Sequence, residues 1–197
     1  MSRWEPNARG RLEQSALELY RENGFESTTV AGITKRAGLT ERTFFRHFAD
    51  KREVLFAGAS ALQEALVRGV HDAPAAMPPI QAIATALTEV ADTVFEQRRE
   101  FARQRQAVIA ANAELQEREL IKLARLAAAL AEALRGRGVT DPAASLAAEA
   151  GIAVFKIAFE SWVADSGKRT LSQLIRESVE ELKLVTGARD LPDVVPG

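Results

Sequence analysis

The chain contains no cysteine and only two histidines, two methionines, two tryptophans and one tyrosine. Without thiols there is no disulfide scaffold, no thiolate zinc or iron–sulfur site and no cysteine nucleophile, and a reducing, bacterial-type cytosol is the expected compartment. His47 and His71 are far apart in the sequence, and no HExxH, GxSxG or glycine-rich phosphate loop is present. Neither an enzyme nor a metal or cofactor site is therefore expected, with a helical enzyme as the remote alternative. No stretch approaches about 18 uninterrupted apolar residues, and Met1–Gly10 lacks the apolar core of a signal peptide. The chain reads as soluble, with no membrane partner.

Net charge is also nearly missing: 26 Lys and Arg stand against 27 Asp and Glu. The balance is uneven along the chain, however. Residues 29 to 52 hold six basic groups (Lys35, Arg36, Arg42, Arg46, Lys51, Arg52) and two acidic ones (Glu41, Asp50), so this window is +4 and the remainder −5.

What is abundant is helix periodicity. Apolar residues recur at spacings of three and four almost throughout, and Gly and Pro fall mostly between the periodic segments, so the fold is expected to be all-α with about nine helices. A first helix runs from Asn7, a candidate N-cap, to Asn23; short helices follow at about 29–37 and 40–47. A fourth begins near Asp50 with Leu55, Ala59, Leu62, Leu66 and Val70 as its stripe, and a fifth carries Ile80, Ile83, Leu87, Val90 and Val94. Phe101, Val108 and Ile109 mark a sixth, and Leu120 through Leu134 a seventh. Asp141 as N-cap with Pro142 at N1 starts an eighth, and the ninth covers about 170–186. The length of 197 residues allows one or two domains. We divide it into an N-terminal domain at 1–50, a larger helical domain at 51–190 and a flexible tail at 191–197.

The segment from Thr29 to Phe48 has helix-turn-helix spacing: a short helix, Gly38 where the turn requires φ > 0, then Thr40 as cap of the next helix. Ile33, Ala37, Leu39, Phe44 and Phe48 are expected to close a small core with Leu12, Ala16 and Phe25. Glu41, Arg42, Thr43, Phe45, Arg46 and His47 then cover the outer surface of the second helix, where a major groove would meet them. Arg42 suits a bidentate contact with a guanine edge.

At these residues the sequence resembles the TetR family of transcriptional regulators, through Ala16-Leu-Glu-Leu-Tyr20, Asn23-Gly-Phe25, Thr28-Thr-Val30, Ala37-Gly-Leu-Thr40, Phe44-Phe45, His47-Phe48 and Lys51. The resemblance implies a homodimer that binds an inverted-repeat site in double-stranded DNA, and a helical body whose occupation by a small molecule releases the operator. It implies backbone contacts for His47 and Lys51. Thr28, Thr29, Lys35 and Thr40 join the candidate DNA contacts. Phe45 stands where the family commonly has a tyrosine whose hydroxyl reaches a phosphate, which removes that contact.

For the C-terminal body, Phe101, Arg105, Val108 and Asn112 share one stripe of the sixth helix, so a cation and an amide sit on an apolar face. Arg105 either pairs with a carboxylate as structure or holds the anionic end of a ligand, and Asn112 divides in the same way. Phe95, Phe155 and Phe159, with Phe101, are candidates for either core or ligand wall. Phe159, Trp162, Leu171, Leu174, Ile175, Ser178 and Leu182 on the last two helices are the candidate dimer interface, arranged as a four-helix bundle. The C-terminal region is also similar to a subgroup that includes mycofactocin-system regulators, through Ala113–Arg118, Leu134–Gly138 and Phe159–Trp162, a resemblance that makes an acyl-CoA or a lipophilic acid a candidate effector, with planar lipophilic drugs and pigments as the alternative. A regulator that binds DNA constitutively is the alternative.

Overall fold

The computed structural model describes residues 7–165 and 168–187. Among them are nine α-helices and no strand: α1 Ala8–Asn23, α2 Val30–Ala37, α3 Glu41–His47, α4 Ala59–Asp72, α5 Pro79–Val90, α6 Arg99–Ala110, α7 Ala113–Gly136, α8 Asp141–Ala164 and α9 Leu171–Thr186. Local chemistry sets most boundaries. Asn7 Oδ1 accepts the Gly10 amide at 3.1 Å. Thr170 and Gln173 form a reciprocal capping box at the start of α9. Thr140, one residue before the expected Asp141, is the N-cap of α8, with Pro142 in its first turn.

Two elements depart from the periodic reading. The fourth helix does not start at Asp50. Its carboxylate accepts the amides of Arg52 and Glu53 at 2.8 and 3.1 Å and so caps a 3₁₀ turn, Glu53–Phe56, and α4 begins only after Gly58. After α5 the chain passes through a π-helical turn at Ala91–Phe95 and a 3₁₀ turn at Glu96–Arg98 before α6. A π turn changes the angular step between residues, so Val94 leaves the apolar stripe of α5 and is 45% exposed.

The chain forms two compact units, Met1–Glu64 with Arg98–Leu126, and Ala65–Gln97 with Ala127–Gly197. This division differs from the expected boundary at residue 50, because α6 and the first half of α7 pack with the N-terminal helices. The tail expected to be flexible, 191–197, lies outside the described residues. In the first unit Leu12, Ala16, Phe25, Ile33, Ala37, Phe44 and Phe48 form one core as expected, and Val54, Leu55, Phe56, Val108, Ile109 and Leu115 extend it. Each large side chain so buried contributes about 1.5–3 kcal/mol of transfer free energy.

The second unit is organised on α5, whose Ala82, Ile83, Ala84, Ala86, Leu87 and Val90 are buried. It contacts both α8 and α9, which also contact each other. A Cβ on Gly151 of α8 would lie 2.6 Å from Ile83 Cγ2, so a glycine is needed at this crossing. Helix α8 carries an 18-residue window long and apolar enough by composition to cross a bilayer, although charged residues interrupt it. Its inner face, from Ala144 to Trp162, is packed in the core of this unit.

Candidate nucleic-acid interface

Helices α2 and α3 are set by three local devices. Thr29 Oγ1 accepts the Gly32 amide at 3.1 Å and caps α2. Gly38 adopts φ 64°, a left-handed conformation that disfavours any side chain. Thr40 Oγ1 accepts the Thr43 amide at 3.2 Å and caps α3. Phe44, fully buried, anchors α3 to the core, and Phe48 lies 5.5 Å from it, ring to ring.

The opposite side of α3 is open. Glu41, Arg42, Phe45, Arg46 and His47 are exposed, Thr43 is half-buried, and Thr29, Lys35 and Thr40 are exposed beside them. Phe45 is 56% exposed, and its ring meets Phe44 edge-on at 5.3 Å, which steadies an apolar group facing solvent.

The six cations of the +4 window divide by their partners. Arg36 makes a two-armed bond to Glu22 at 2.7 and 2.6 Å; these bonds hold the Arg36 pKa above and the Glu22 pKa below their ordinary values. Arg52 is bound to Asp50 and to Glu114. Lys51 donates to the carbonyls of Phe25, Glu26 and Thr28. Lys35, Arg42 and Arg46 have no ion pair or side-chain hydrogen bond among the described residues. The cations available to an anion are thus the two on α3 and one at the end of α2.

Two of the expected contacts have side chains already engaged within the protein. Thr28 is only 4% exposed, and its single hydroxyl hydrogen is shared between Leu19 O at 3.2 Å and Gly24 O at 2.8 Å, which holds the turn after α1. Lys51 is not in the first turn of a helix, and its ammonium bonds three carbonyls, all the donors it has. Arg9 and Arg11, at the start of α1, are also occupied, by Glu13 and by the Ala37 carbonyl. Neither carbonyl cages nor buried hydroxyls have a sequence signature that would have separated them from exposed ones.

The residues expected to line a ligand site fall into both units. Phe101, Arg105, Val108 and Asn112 belong to the first, where α6 packs on α1. Arg98 lies over the Phe101 ring at 4.6 Å, Val108 is buried in the core, and Asn112 Nδ2 donates to Val108 O at 2.6 Å. Arg105 Nε donates to Leu55 O at 2.6 Å and Nη1 to Glu119 at 3.0 Å, so of its two open readings the structural one matches this geometry. Phe95, Phe155 and Phe159 lie in the second unit, where they form one ring cluster with Trp162 at centroid separations of 5.7–6.3 Å. That unit also has an open cleft of about 500 Å³ lined by Arg68, Asp72, Met77, Glu89, Val90 and Val94 among others, of which periodicity placed only Val90 and Val94, as part of an apolar stripe and not of a cleft. No group of three His, Asp or Glu side chains among the described residues is placed to hold a metal ion.

The expected dimer contacts are corrected as well. Trp162, Leu171 and Ile175 are 0% exposed, and Phe159 and Leu174 are buried, all within the unit's own core. Helices α8 and α9 both contact α5, and only Ser178 and Leu182 of the expected set are partly accessible.

A short helix carrying free arginines, set across a glycine turn on a three-helix core, is the architecture of a helix-turn-helix DNA-binding protein. The chain belongs to the TetR family of bacterial regulatory proteins: the tetR-family model matches residues 14–57, and that of the MftR C-terminal domain matches 77–186. Over 82 residues it is 42% identical to the HTH-type transcriptional regulator TcmR of Streptomyces glaucescens; this stretch is 42% of the chain and 36% of that protein, so the match spans about a third of the relative's length. Among solved structures it is similar to Thermus thermophilus FadR, a TetR-family repressor in complex with lauroyl-CoA, at 22% identity and a TM-score of 0.55 over 96% of this chain and 99% of that one. It is also similar to the SmeT–triclosan complex, at 18% identity and a TM-score of 0.63 over 96% and 97%; SmeT is the repressor of a Stenotrophomonas maltophilia multidrug efflux pump. At these identities the structural likeness concerns the fold.

Proposed function

We propose that the protein is a cytoplasmic repressor that binds an inverted-repeat operator as a homodimer and leaves it when a lipophilic, acyl-CoA-like effector occupies the C-terminal unit. The observation that carries the operator reading is the outer surface of α3, where Glu41, Arg42, Phe45, Arg46 and His47 are exposed and Thr43 is half-buried beside them, over the buried Phe44. Arg42 reads a guanine edge, Lys35, Thr29 and Thr40 meet phosphates, and Phe45, lacking a hydroxyl, offers an apolar contact such as a thymine methyl. The effector reading is supported by the lauroyl-CoA and triclosan complexes of the two structural neighbours and by the half-buried Phe95 and Phe155 as an apolar wall. Release requires differential binding: a 100-fold loss of DNA affinity corresponds to a coupling of about 2.7 kcal/mol, which the DNA-bound form must withhold from the ligand.

The test is selection of duplexes from a random pool, followed by titration of the complex with lauroyl-CoA and with triclosan. An enriched palindrome with half-sites about one helical turn apart, released by either compound, is the expected result. An enriched palindrome that neither compound, nor a panel of other acyl-CoAs and lipophilic acids, displaces would favour the constitutive reading. On the enriched duplex Arg42→Ala is expected to cost about 1–3 kcal/mol and to relax the preference at one base pair, measured by fluorescence anisotropy. An equal loss on random DNA would remove the base-reading role.

The dimer is assigned to the outward faces of α8 and α9 instead of their buried ones. Leu146 and Ile157 are 71% and 59% exposed and share a stripe with Ala153, and Val185, 71% exposed, continues the stripe of Ser178 and Leu182. Two copies of this surface give a twofold contact. Ile157→Arg is expected to turn a dimer into a folded monomer in sedimentation velocity at micromolar concentration. A variant that sediments as a dimer would move the interface elsewhere.

A further inference from the structure

The residues that follow the recognition helix are tied to the turn between α1 and α2 through one lysine. Lys51 Nζ donates to Phe25 O at 2.8 Å, Glu26 O at 3.1 Å and Thr28 O at 3.1 Å, and it lies 4.4 Å from the centre of the Phe25 ring. An ammonium has three N–H groups, so this set is complete, and the ring adds a cation–π contact. The main chain of the same residue is held from the other side: Lys51 O accepts the Tyr20 hydroxyl at 2.6 Å. Tyr20 in turn meets Phe25 edge-on at 5.2 Å, and only 3% of its surface is exposed.

These contacts lie at a particular place in the motif. Helix α2 starts directly after the caged turn, from the Thr29 cap, and α3 ends at His47, four residues before Lys51. At their near ends the two helices are joined by the Gly38–Thr40 turn. Their far ends have no direct covalent link, and Lys51 spans that gap. Thr28 adds to the rigidity of the turn through its hydroxyl bonds to Leu19 O and Gly24 O.

We infer that Lys51 is a positioning residue for operator recognition: it closes the open end of the helix-turn-helix, fixing the recognition helix relative to α2 without itself touching DNA. The carbonyls it binds carry no formal charge, yet together they occupy all three donors, so a phosphate would have to break the cage to gain a direct bond. Sequence discrimination depends on the aim of several side chains at base edges, and a small rotation of α3 degrades it more than it degrades attraction to the backbone.

The test is Lys51→Met, which keeps most of the stem and removes the ammonium, with Tyr20→Phe as a second variant that bears no charge and is buried away from any phosphate. Affinities are measured for a duplex enriched from a random pool by the wild-type protein and for a random duplex of equal length, across a KCl series. In both variants the ratio of the two affinities is expected to fall, by about 10-fold for Lys51→Met, while the salt slope on the random duplex stays at the wild-type value. The double variant is expected to be little worse than Lys51→Met alone, because both changes open the same joint. A salt slope lower by about 0.9 in Lys51→Met, with the affinity ratio kept, would make Lys51 a phosphate contact and overturn the inference. A lower melting temperature with ratio and slope both unchanged would reduce the cage to a stability device and overturn it too. If Lys51→Met does not fold, Tyr20→Phe reads the same ratio and slope.

Discussion

Trp162→Ala is expected to lower the stability of the C-terminal unit by about 3–5 kcal/mol, and its melting temperature by roughly 10 °C, to the same extent at low and high protein concentration. Trp162 has no exposed surface. Its ring packs against Phe95 at 6.3 Å, nearly perpendicular, and against Phe159 at 5.7 Å, and Phe155 closes the cluster against both phenylalanines. Truncation to alanine empties a cavity that rings of fixed shape fill poorly, so the cost of the cavity adds to the lost transfer free energy. An interface residue would behave differently: its loss would weaken association, and the apparent stability would then follow protein concentration by mass action. Calorimetric melts at two concentrations an order of magnitude apart separate these cases. A variant that melts like the wild type but has become monomeric would return Trp162 to the dimer surface.

The contrast between Trp162 and Ile157 shows what periodicity could and could not supply. Apolar spacing on α8 identifies a helix with little polar surface, but so many of its positions are alanine that the pattern does not say which side faces in. The large rings face in because only the interior offers them contact on every side, and Leu146 and Ile157 remain outside. On α6 the stripe of Phe101, Arg105, Val108 and Asn112 was legible as a face that meets something; that its partner is α1 and the turn after the recognition helix depends on long-range packing. The helix-turn-helix, by contrast, is specified locally. Thr29, Gly38 and Thr40 each act on residues at most five positions away, so their roles could be read directly. Lys51 and Thr28 sit in the same segment, but their partners are main-chain carbonyls, which every residue has and no sequence marks.

Arg105→Ala is expected to destabilise the N-terminal unit by about 3 kcal/mol, as a fall in the urea midpoint with an unchanged m-value. Burial pushes the pKa of this guanidinium below its ordinary value, and Glu119 restores part of it. The group nevertheless remains a cation, since a guanidinium is not deprotonated in proteins. It bonds Leu55 O and Glu119, and its Cζ lies 5.0 Å from the Phe56 ring centre, so one side chain on α6 holds both the 3₁₀ turn and α7. Beside it Glu53, in the same turn, accepts bonds from Arg118 and from Lys122, the latter at 3.0 Å. Burial works to raise the Glu53 pKa, but the bonds from Lys122 and Arg118 outweigh it and hold the carboxyl below its usual range. Removing Arg105 leaves the Leu55 carbonyl and the Glu119 carboxylate without their donor in partly buried surroundings, which costs more than the pair contributed when formed. Glu119→Ala is expected to cost less, because Arg105 keeps Leu55 O, and the double variant should lose less than the two single losses together. Additive losses would mean that the pair is not coupled. Full stability in Arg105→Ala, with weaker binding of lauroyl-CoA, would instead place Arg105 in an effector site.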